Sequence, residues 1–343
     1  MSFNYIYESY KISKKLYQKK FLSKHWQKNN IKKKNLFKLK NLESFRNNGL
    51  ADGLGGGYFS KESIRKMYKY LIKTIGQKKL LKNLNKKNVG SYRNIIKVNK
   101  KILDANQLMS IEYLFELKKK LNLKKLKIIC EIGAGYGCFA EKLINNSKAK
   151  YIIIDLPEAN FLSSYYLKKN FPNKKFLCAN KIKSKTVTLK TIKNYDIIIL
   201  NPWHQIKNIN FDLFINIRSM MEMDSRTIKH YFEFINKNLK KNGYFLNINR
   251  YQKDTVGYPI KFCEYPYGDY WSKVISKTSW QQDHTHFLLA QKKNSVGDIK
   301  KELNYINVIT KKRKFIIDKF FLKRYLPNII FVNLRKFKNF IFR

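Results

Sequence analysis

Short apolar runs separated by amphipathic segments dominate the chain from residue 127 onward. The runs 128–132 and 151–154 are nearly continuous in apolar residues, which is typical of strands buried on both faces of a parallel sheet. The segments 138–146, 158–170 and 225–239 have apolar residues at helical spacing instead. This alternation predicts an α/β, doubly wound sheet with helices on both faces.

The later runs predict the rest of the sheet. The further strands expected are 174–178, 195–200, 211–217, 244–250, 271–275 and 286–291. We expect the last two of these to form an antiparallel hairpin at the sheet edge, joined by a loop that contains Asp283-His-Thr-His286.

The first 122 residues have a different pattern, which predicts mainly helices. Ser60 is placed to cap a helix whose apolar positions extend to Ile75, and Gly76 then ends it. Helices are also expected over 78–85 and 105–122, with irregular helices in the first 50 residues. The glycine-rich stretch 48–57 predicts a flexible loop.

A glycine-rich turn follows the first predicted strand. Gly133, Gly135 and Gly137 allow a sharp turn and a close approach of a ligand to the backbone, and the next helix would point free N–H groups at that ligand. The spacing differs from the dinucleotide fingerprint, and the chain has no P-loop sequence. Glu131, just before the turn, would repel a pyrophosphate and suits a positively charged cofactor such as S-adenosylmethionine.

The net charge of +49 raises the question of nucleic-acid binding. Only 10 of the 72 basic residues are arginine, the preferred reader of phosphates and bases. The lysines are spread along the whole length, together with an excess of Asn, Ile, Phe and Tyr. A nucleic-acid partner is therefore not expected, although attraction to acidic partners remains physically real.

The four cysteines have neither paired nor metal-type spacing, which indicates a reducing, cytoplasmic location. No signal peptide and no apolar run long enough to span a membrane are expected. Basic and large apolar residues alternate over 311–343. This segment is predicted either to pack as a C-terminal helix pair or to lie on the inner, anionic membrane face.

Four pieces of the sequence occur together as they do in a known family. They are Glu131-Ile-Gly-Ala-Gly-Tyr-Gly137, Asp155-Leu-Pro-Glu158, Phe211-Asp-Leu-Phe-Ile-Asn216 leading to Ser219-Met-Met-Glu-Met-Asp224, and Phe245-Leu-Asn-Ile-Asn-Arg-Tyr251. The set resembles a family of sugar O-methyltransferases within the class I S-adenosylmethionine-dependent superfamily, over roughly residues 90–292.

The resemblance implies a Rossmann-like sheet of seven strands whose last hairpin is antiparallel. It also implies three parts of the chain. Residues 1–122 would be a helical extension or lid, 123–295 the cofactor-binding domain, and 296–343 a basic aromatic tail, expected to be helical.

The resemblance further implies methyl transfer from S-adenosylmethionine to a sugar hydroxyl, in polysaccharide, glycolipid or glycosylated-metabolite biosynthesis. Asp155, at a strand end, is expected to bind the ribose diol, and Leu156 to pack on the adenine. Asn201 is placed to meet the adenine edge or to form a turn before Pro202. The full set of expected cofactor contacts is Glu131, Gly133, Ala134, Gly135, Gly137, Asp155, Leu156, Asn201 and Asn216.

Catalysis needs a group that helps to remove the hydroxyl proton. Glu222 is the first candidate for the base or for acceptor binding, and Arg250 is placed for an acidic acceptor or the cofactor carboxylate. Three histidines fall in or near loops at the expected site and are further candidates: His204, His284 and His286. Glu222 and Asp224 would allow a divalent metal, but no motif supports one, and Asp224 also suits helix capping.

Two other functions remain open at this stage. If 195–200 is the fourth strand rather than the third, Asn201-Pro-Trp203 resembles the motif of enzymes that methylate amines in RNA, DNA or protein. The passage 211–250 fits the fourth and fifth strands better, which favours the first assignment. The other alternative is a non-catalytic, membrane-associated partner in glycan assembly.

Overall fold

The structure is a computed structural model that describes residues 3–17, 21–54, 59–182, 185–254, 256–280 and 282–313. Its helices are α1 Phe3–Lys15, α2 Lys24–Lys33, α3 Lys61–Ile75, α4 Gln77–Asn83, α5 Ala105–Lys118, α6 Cys138–Asn146, α7 Pro157–Asn170, α8 Leu189–Ile192, α9 Ser225–Asn238 and α10 Ile299–Arg313.

The strands include eight that form the central sheet and six that form three short pairs. They are β1 Ile96–Val98, β2 Lys101–Leu103, β3 Ile128–Ile132, β4 Lys150–Ile154, β5 Phe176–Leu177, β6 Thr186–Val187, β7 Ile197–Leu200, β8 Gln205–Ile206, β9 Phe211–Ile217, β10 Leu239–Arg250, β11 Gln252–Asp254, β12 Pro259–Lys261, β13 Trp271–Thr278 and β14 Thr285–Lys292.

The strand order of the central sheet is β13-β14-β10-β9-β3-β4-β7-β5. Strands β9, β3, β4 and β7 run parallel to one another, and β14 is antiparallel to both β10 and β13. This confirms the doubly wound sheet with an antiparallel last hairpin. The two-residue strand β5 lies within the expected strand 174–178, so the sheet contains all eight expected runs, one strand more than the seven that the resemblance implies.

The position of β7 settles the choice between the two strand assignments. It pairs with β4 on the side away from β3, which is the sheet position of the third strand in the expected fold, and β9, which pairs with β3, has the position of the fourth. Asn201-Pro-Trp203 therefore does not follow the fourth strand, where the amine-methylating motif would lie.

Both faces of the sheet are buried, as the continuous apolar runs predict. Successive residues of one strand enter opposite cores: Ile129 joins α5, α6 and α7 on one face, and Cys130 joins α9 and α10 on the other. A third, smaller core forms between α3, α4, α5 and the β1–β2 hairpin. The N-terminal helices thus pack on the same face as α5 and α7.

A buried ion pair joins the N-terminal segment to this face. The Arg46 guanidinium lies 3.1 and 3.2 Å from the two Asp104 oxygens, and both side chains are almost fully buried. The guanidinium also stacks over the rings of Tyr92 and Tyr136, and Tyr136 belongs to the glycine turn. The N-terminal segment is therefore attached directly to the predicted cofactor site.

Helix boundaries follow the predicted caps. Ser60 accepts a hydrogen bond from the Ser63 amide at the start of α3, and Gly76 ends that helix with φ +89°. Helix α5 ends at Lys118, four residues before the expected end. Of the predicted tail 311–343, the structure describes only the end of α10, and residues 314–343 lie outside the described part.

Candidate active site

The carboxyl ends of β3, β4 and β9 meet at one edge of the sheet. Since β3 lies between the other two, this is the point where the chain direction around the sheet reverses, the usual ligand position in open α/β sheets. The Gly133 amide donates to the Ile154 carbonyl at 2.9 Å, and Gly137, with φ +91°, starts α6. The glycine turn therefore forms the floor of a site.

Two of the glycines are required by close contacts. A Cβ atom at Gly133 would lie 2.0 Å from the Ser219 hydroxyl oxygen, and one at Gly135 would lie 2.7 Å from the Leu54 carbonyl oxygen. The turn is thus packed between the loop after β9 and the N-terminal segment. Larger residues would displace both neighbours.

Asp155 follows β4 and closes the other side of the floor. Its carboxylate accepts hydrogen bonds from the amides of Gly135 at 2.9 Å and Leu156 at 2.7 Å. A carboxylate has about four acceptor positions, so capacity remains for a ligand diol. Burial raises the pKa of Asp155 to about 7, although these two hydrogen bonds lower it. The charges of Glu158 and Glu222 raise the pKa further.

Glu131 lies beneath the turn on β3 and is also buried. It accepts a hydrogen bond from the Tyr151 hydroxyl at 2.7 Å. Burial raises the pKa of Glu131 to about 7, while the Tyr151 bond lowers it and the Asp155 charge raises it. Glu131 and Asp155 form no ion pair within the described residues, so a cation near them would stabilise their ionised forms.

A cavity of about 310 Å³ opens above this floor, within the usual size of small-molecule sites. Its described lining includes six of the nine expected cofactor residues. They are Glu131, Gly133, Ala134, Gly135, Asp155 and Leu156.

The sign of the charges around the cavity is opposite to that of the whole chain. The chain has 72 Lys and Arg against 23 Asp and Glu. Among the described lining residues, four are acids and Arg218 is the basic one. The four acids are Glu131, Asp155, Glu158 and Glu222. Two of them, Glu158 and Glu222, are paired with Lys14 and Lys253, which leaves the floor as the negative part.

The N-terminal segment covers the cavity. Phe21, Trp26 and Asn30 of the α2 region line it, together with Gly53 and Leu54. Lys33 of α2 donates to the Asp52 carbonyl at 2.5 Å and so connects α2 with the 50–54 loop. The sequence offered no local signal for these contacts, since this region reads as lysine- and asparagine-rich helix.

Helix α5 contributes a further wall. Asn106, Met109 and Tyr113 line the cavity, and Asn106 is only 6% exposed. No described atom accepts a hydrogen bond from the side-chain amide nitrogen of Asn106. A buried donor without a partner is costly, which makes this group a candidate contact for a ligand.

A chain of buried amides positions the loop after β9. Asn216 donates to the Ile132 carbonyl at 2.8 Å and accepts from the Met220 amide at 3.0 Å. Asn249 donates to Asn216 at 2.9 Å and accepts from the Met221 amide. Asn216 is not among the described residues that line the cavity. Its contacts hold the loop that carries Glu222 and so position Glu222 indirectly. Direct cofactor binding by Asn216 stays a prediction.

Glu222 lines the cavity and is nearly buried. It forms an ion pair with Lys253, and His25 Nε2 lies 3.9 Å from the same oxygen. The pKa of His25 is lowered mainly by burial, against the charge of Glu222. His25, from α2, is thus the histidine brought to the predicted base. Asp224 instead caps α9, accepting from the Thr227 amide at 2.7 Å.

The three predicted histidines lie outside the described cavity lining. His204 Nδ1 bonds to the Asn201 backbone at 3.0 Å and closes the turn after β7. His286 lies between the Ser276 hydroxyl at 2.9 Å and the Tyr251 hydroxyl at 3.1 Å. His284 follows on the loop before β14, where burial, then Arg250 and Arg218, lower its pKa to about 4. Their catalytic roles stay predictions.

The remaining predicted residues have structural neighbours. Asn201 donates to the Ser13 hydroxyl at 2.8 Å and accepts from Asn160 at 3.1 Å, which attaches α1 to the core. Gly137 packs against α7 near Ser163 and Leu167. Arg250 ends β10 opposite Thr285. None of these three is among the described residues that line the cavity.

The described residues contain neither a metal-binding cluster nor a membrane-spanning helix. No group of three or more His, Cys, Asp and Glu side chains in the described ranges is arranged to hold a metal ion. No helix in that part of the chain combines the length and the apolar character needed to cross a membrane.

Comparison with known proteins gives likeness at the level of structure. No family model and no curated protein matches the chain. The magnesium protoporphyrin IX methyltransferase of Synechocystis PCC 6803, solved with bound SAM, matches with a TM-score of 0.38 and 12% identity, over 53% of this chain and 77% of that one. An O-methyltransferase family protein from Burkholderia thailandensis matches with a TM-score of 0.37 and 9% identity, over 53% and 56%. Likeness at this level says nothing about substrate, so function is argued from the cavity itself.

Proposed function

We propose that the chain is a methyltransferase that uses S-adenosylmethionine to methylate a hydroxyl group of a sugar. The observation that carries the donor half is the negative floor of the cavity in a strongly basic protein. A cationic ligand above Glu131 and Asp155 would offset the cost of burying two carboxylates.

The residues present fit this donor in three respects. Gly133 and Gly135 place the backbone of the turn in the cavity lining, Asp155 keeps acceptor capacity for a diol, and Leu156 offers an apolar surface beside it. Bound S-adenosylmethionine would supply an electrophilic methyl group.

The acceptor half rests on Glu222. A sugar hydroxyl is a poor nucleophile until its proton is removed, and Glu222 lies in the cavity wall with His25 3.9 Å away. We propose that Glu222 accepts that proton or orients the hydroxyl, and that Lys253 and His25 hold its carboxylate in place. The sugar is taken from the sequence resemblance, which covers the loop after β9 that carries Glu222.

Isothermal titration with S-adenosylhomocysteine tests the donor half. We expect binding by the wild type and a loss of roughly 10- to 100-fold in Asp155→Ala, the range for hydrogen bonds to a charged group. Glu62→Ala removes an exposed acid of α3 and should bind normally. Absence of binding by the wild type would refute the donor.

Methyl transfer to a panel of glycans, with and without a chelator, tests the acceptor half. We expect transfer to a sugar hydroxyl and a loss of about 100-fold in Glu222→Gln, typical for removal of a general base. Transfer to RNA or protein amines instead of sugars would refute the sugar and favour the alternative function.

A further inference from the structure

Arg218 is the basic residue among the described cavity residues and, apart from glycines, the one with a left-handed backbone. It follows β9 directly, its φ is +59°, and its amide donates to the Ile248 carbonyl at 2.7 Å. A left-handed conformation is unfavourable for a residue with a long side chain and is retained mostly at functional sites. The backbone thus holds this side chain at the cavity rim.

The guanidinium of Arg218 is not used by the protein in the way that Arg46 is. Arg46 is neutralised by Asp104 in a two-point contact. No described carboxylate forms an ion pair with Arg218, and no described atom bonds to its buried Nε. A partly buried guanidinium offers a planar fork that suits a carboxylate or phosphate.

A second cation, Lys253, lies next to the cavity wall, where it pairs with Glu222. Burial lowers the pKa of Lys253 against its ion pair with Glu222, and the charges of Arg250 and Arg218 lower it further. His284 is affected by the same two arginines after burial. By contrast, the charges that act on the pKa of Asp155, on the floor, are those of the acids Glu158 and Glu222. The cavity therefore has two acids at its floor and, in its wall, the cation Arg218, with which no described carboxylate forms an ion pair.

We propose that Arg218 binds an anionic group, a carboxylate or a phosphate, on the acceptor, so that the substrate is an acidic or phosphorylated sugar rather than a neutral one. This inference rests on the proposed function for its substrate class. The other anion that could reach Arg218 is the carboxylate of the donor, and the experiment must separate the two.

The experiment uses the full chain as wild type, Arg218→Gln, Arg218→Lys and Arg65→Gln. Arg65 is an exposed arginine of α3, so Arg65→Gln controls for loss of one positive charge. Isothermal titration measures S-adenosylhomocysteine, glucose, glucuronate and glucose 6-phosphate separately, and initial rates of methyl transfer to each sugar follow.

We expect the wild type to bind at least one anionic sugar about tenfold or more tightly than glucose. Arg218→Gln should lose about 10- to 100-fold of that affinity, the range for a hydrogen bond to a charged group. Arg218→Lys should recover part of it, and Arg65→Gln should match the wild type. The affinity for S-adenosylhomocysteine should stay within about twofold in all four proteins.

Equal affinity of the wild type for glucose and both anions would overturn the proposal. So would a loss confined to S-adenosylhomocysteine in Arg218→Gln, which would place Arg218 at the donor carboxylate. If the wild type binds the anionic sugars but no donor, the proposed function fails and the anion site stands. Glucuronate and glucose 6-phosphate distinguish carboxylate from phosphate.

Discussion

The floor and the roof of the cavity are built in different ways. The floor comes from two short segments, 131–137 and 155–158, whose strands are neighbours in the sheet. The roof and rim come from α2, the 50–54 loop, α5 and the loop after β9, which are up to about 200 residues apart in sequence. The floor, where we propose that the donor binds, is therefore encoded locally, while the roof depends on long-range packing.

The strongest way to break this comparison is to detach the roof. Arg46→Met removes one partner of a buried ion pair, and such changes cost about 3–5 kcal/mol because the remaining charge stays buried. We expect urea denaturation to show a loss of unfolding free energy in that range. The double variant Arg46→Met/Asp104→Asn removes the remaining charge, keeps an acceptor for the Gln107 amide at the start of α5, and should recover much of it. A loss below about 1 kcal/mol would mean that the pair is not what holds the N-terminal segment.

The floor is tested by Gly133→Ala. The new Cβ would meet the Ser219 side chain in a residue with φ +76°, so strain and overpacking should together cost about 2–4 kcal/mol of unfolding free energy. Gly76→Ala is a matched control, because Gly76 has φ +89° but nothing within 4 Å of the added atom. Only the Gly133 variant should also lose donor affinity. Equal costs in the two variants would argue against the contact with Ser219.

The smallest effect concerns pH and is specific to the floor. Burial raises the pKa of Glu131 and Asp155 to about 7. Between pH 4, near their ordinary pKa, and pH 7, both carboxyls therefore hold a proton in the free folded protein. A cationic donor favours the ionised forms. Its affinity should therefore rise with pH by up to about tenfold per unit for each proton released, between roughly pH 6 and 7, and level off above.

Titrations in buffers of different ionisation enthalpy should detect proton release on donor binding at pH 6.5, less in Glu131→Gln. The same shifts mean that the free protein loses stability as pH rises from about 4 to 7, because the folded state binds the extra protons. Constant donor affinity across this range would exclude a cation above the two acids.

The positions of the strands along the chain were predictable because each run of apolar residues is local and both sheet faces are buried. The segments 128–132, 138–146 and 211–217 agree with the observed elements residue for residue. Six of the nine expected cofactor residues line the cavity for the same reason, since a turn and a strand end carry their own sequence pattern. The division into 1–122, 123–295 and 296–343 stays a prediction.

The acceptor side was less predictable. His204, His284 and His286 are near strand ends along the chain, yet their hydrogen bonds serve turns and strand packing. The residues that surround Glu222 are His25 and Lys253, from α2 and β11. Nothing in the spacing of residue 25 relates it to residue 222.

The sequence alone determined the doubly wound sheet, the glycine turn and the acids at its floor, because backbone conformation and strand burial depend on neighbouring residues. Only the tertiary structure decided that the N-terminal helices cover the cavity, that Asn216 supports a loop, and that Arg218 lies unpaired by any described carboxylate at the rim. These contacts depend on where distant segments meet, and the charge that a side chain experiences there depends on burial and on neighbours that the sequence does not place.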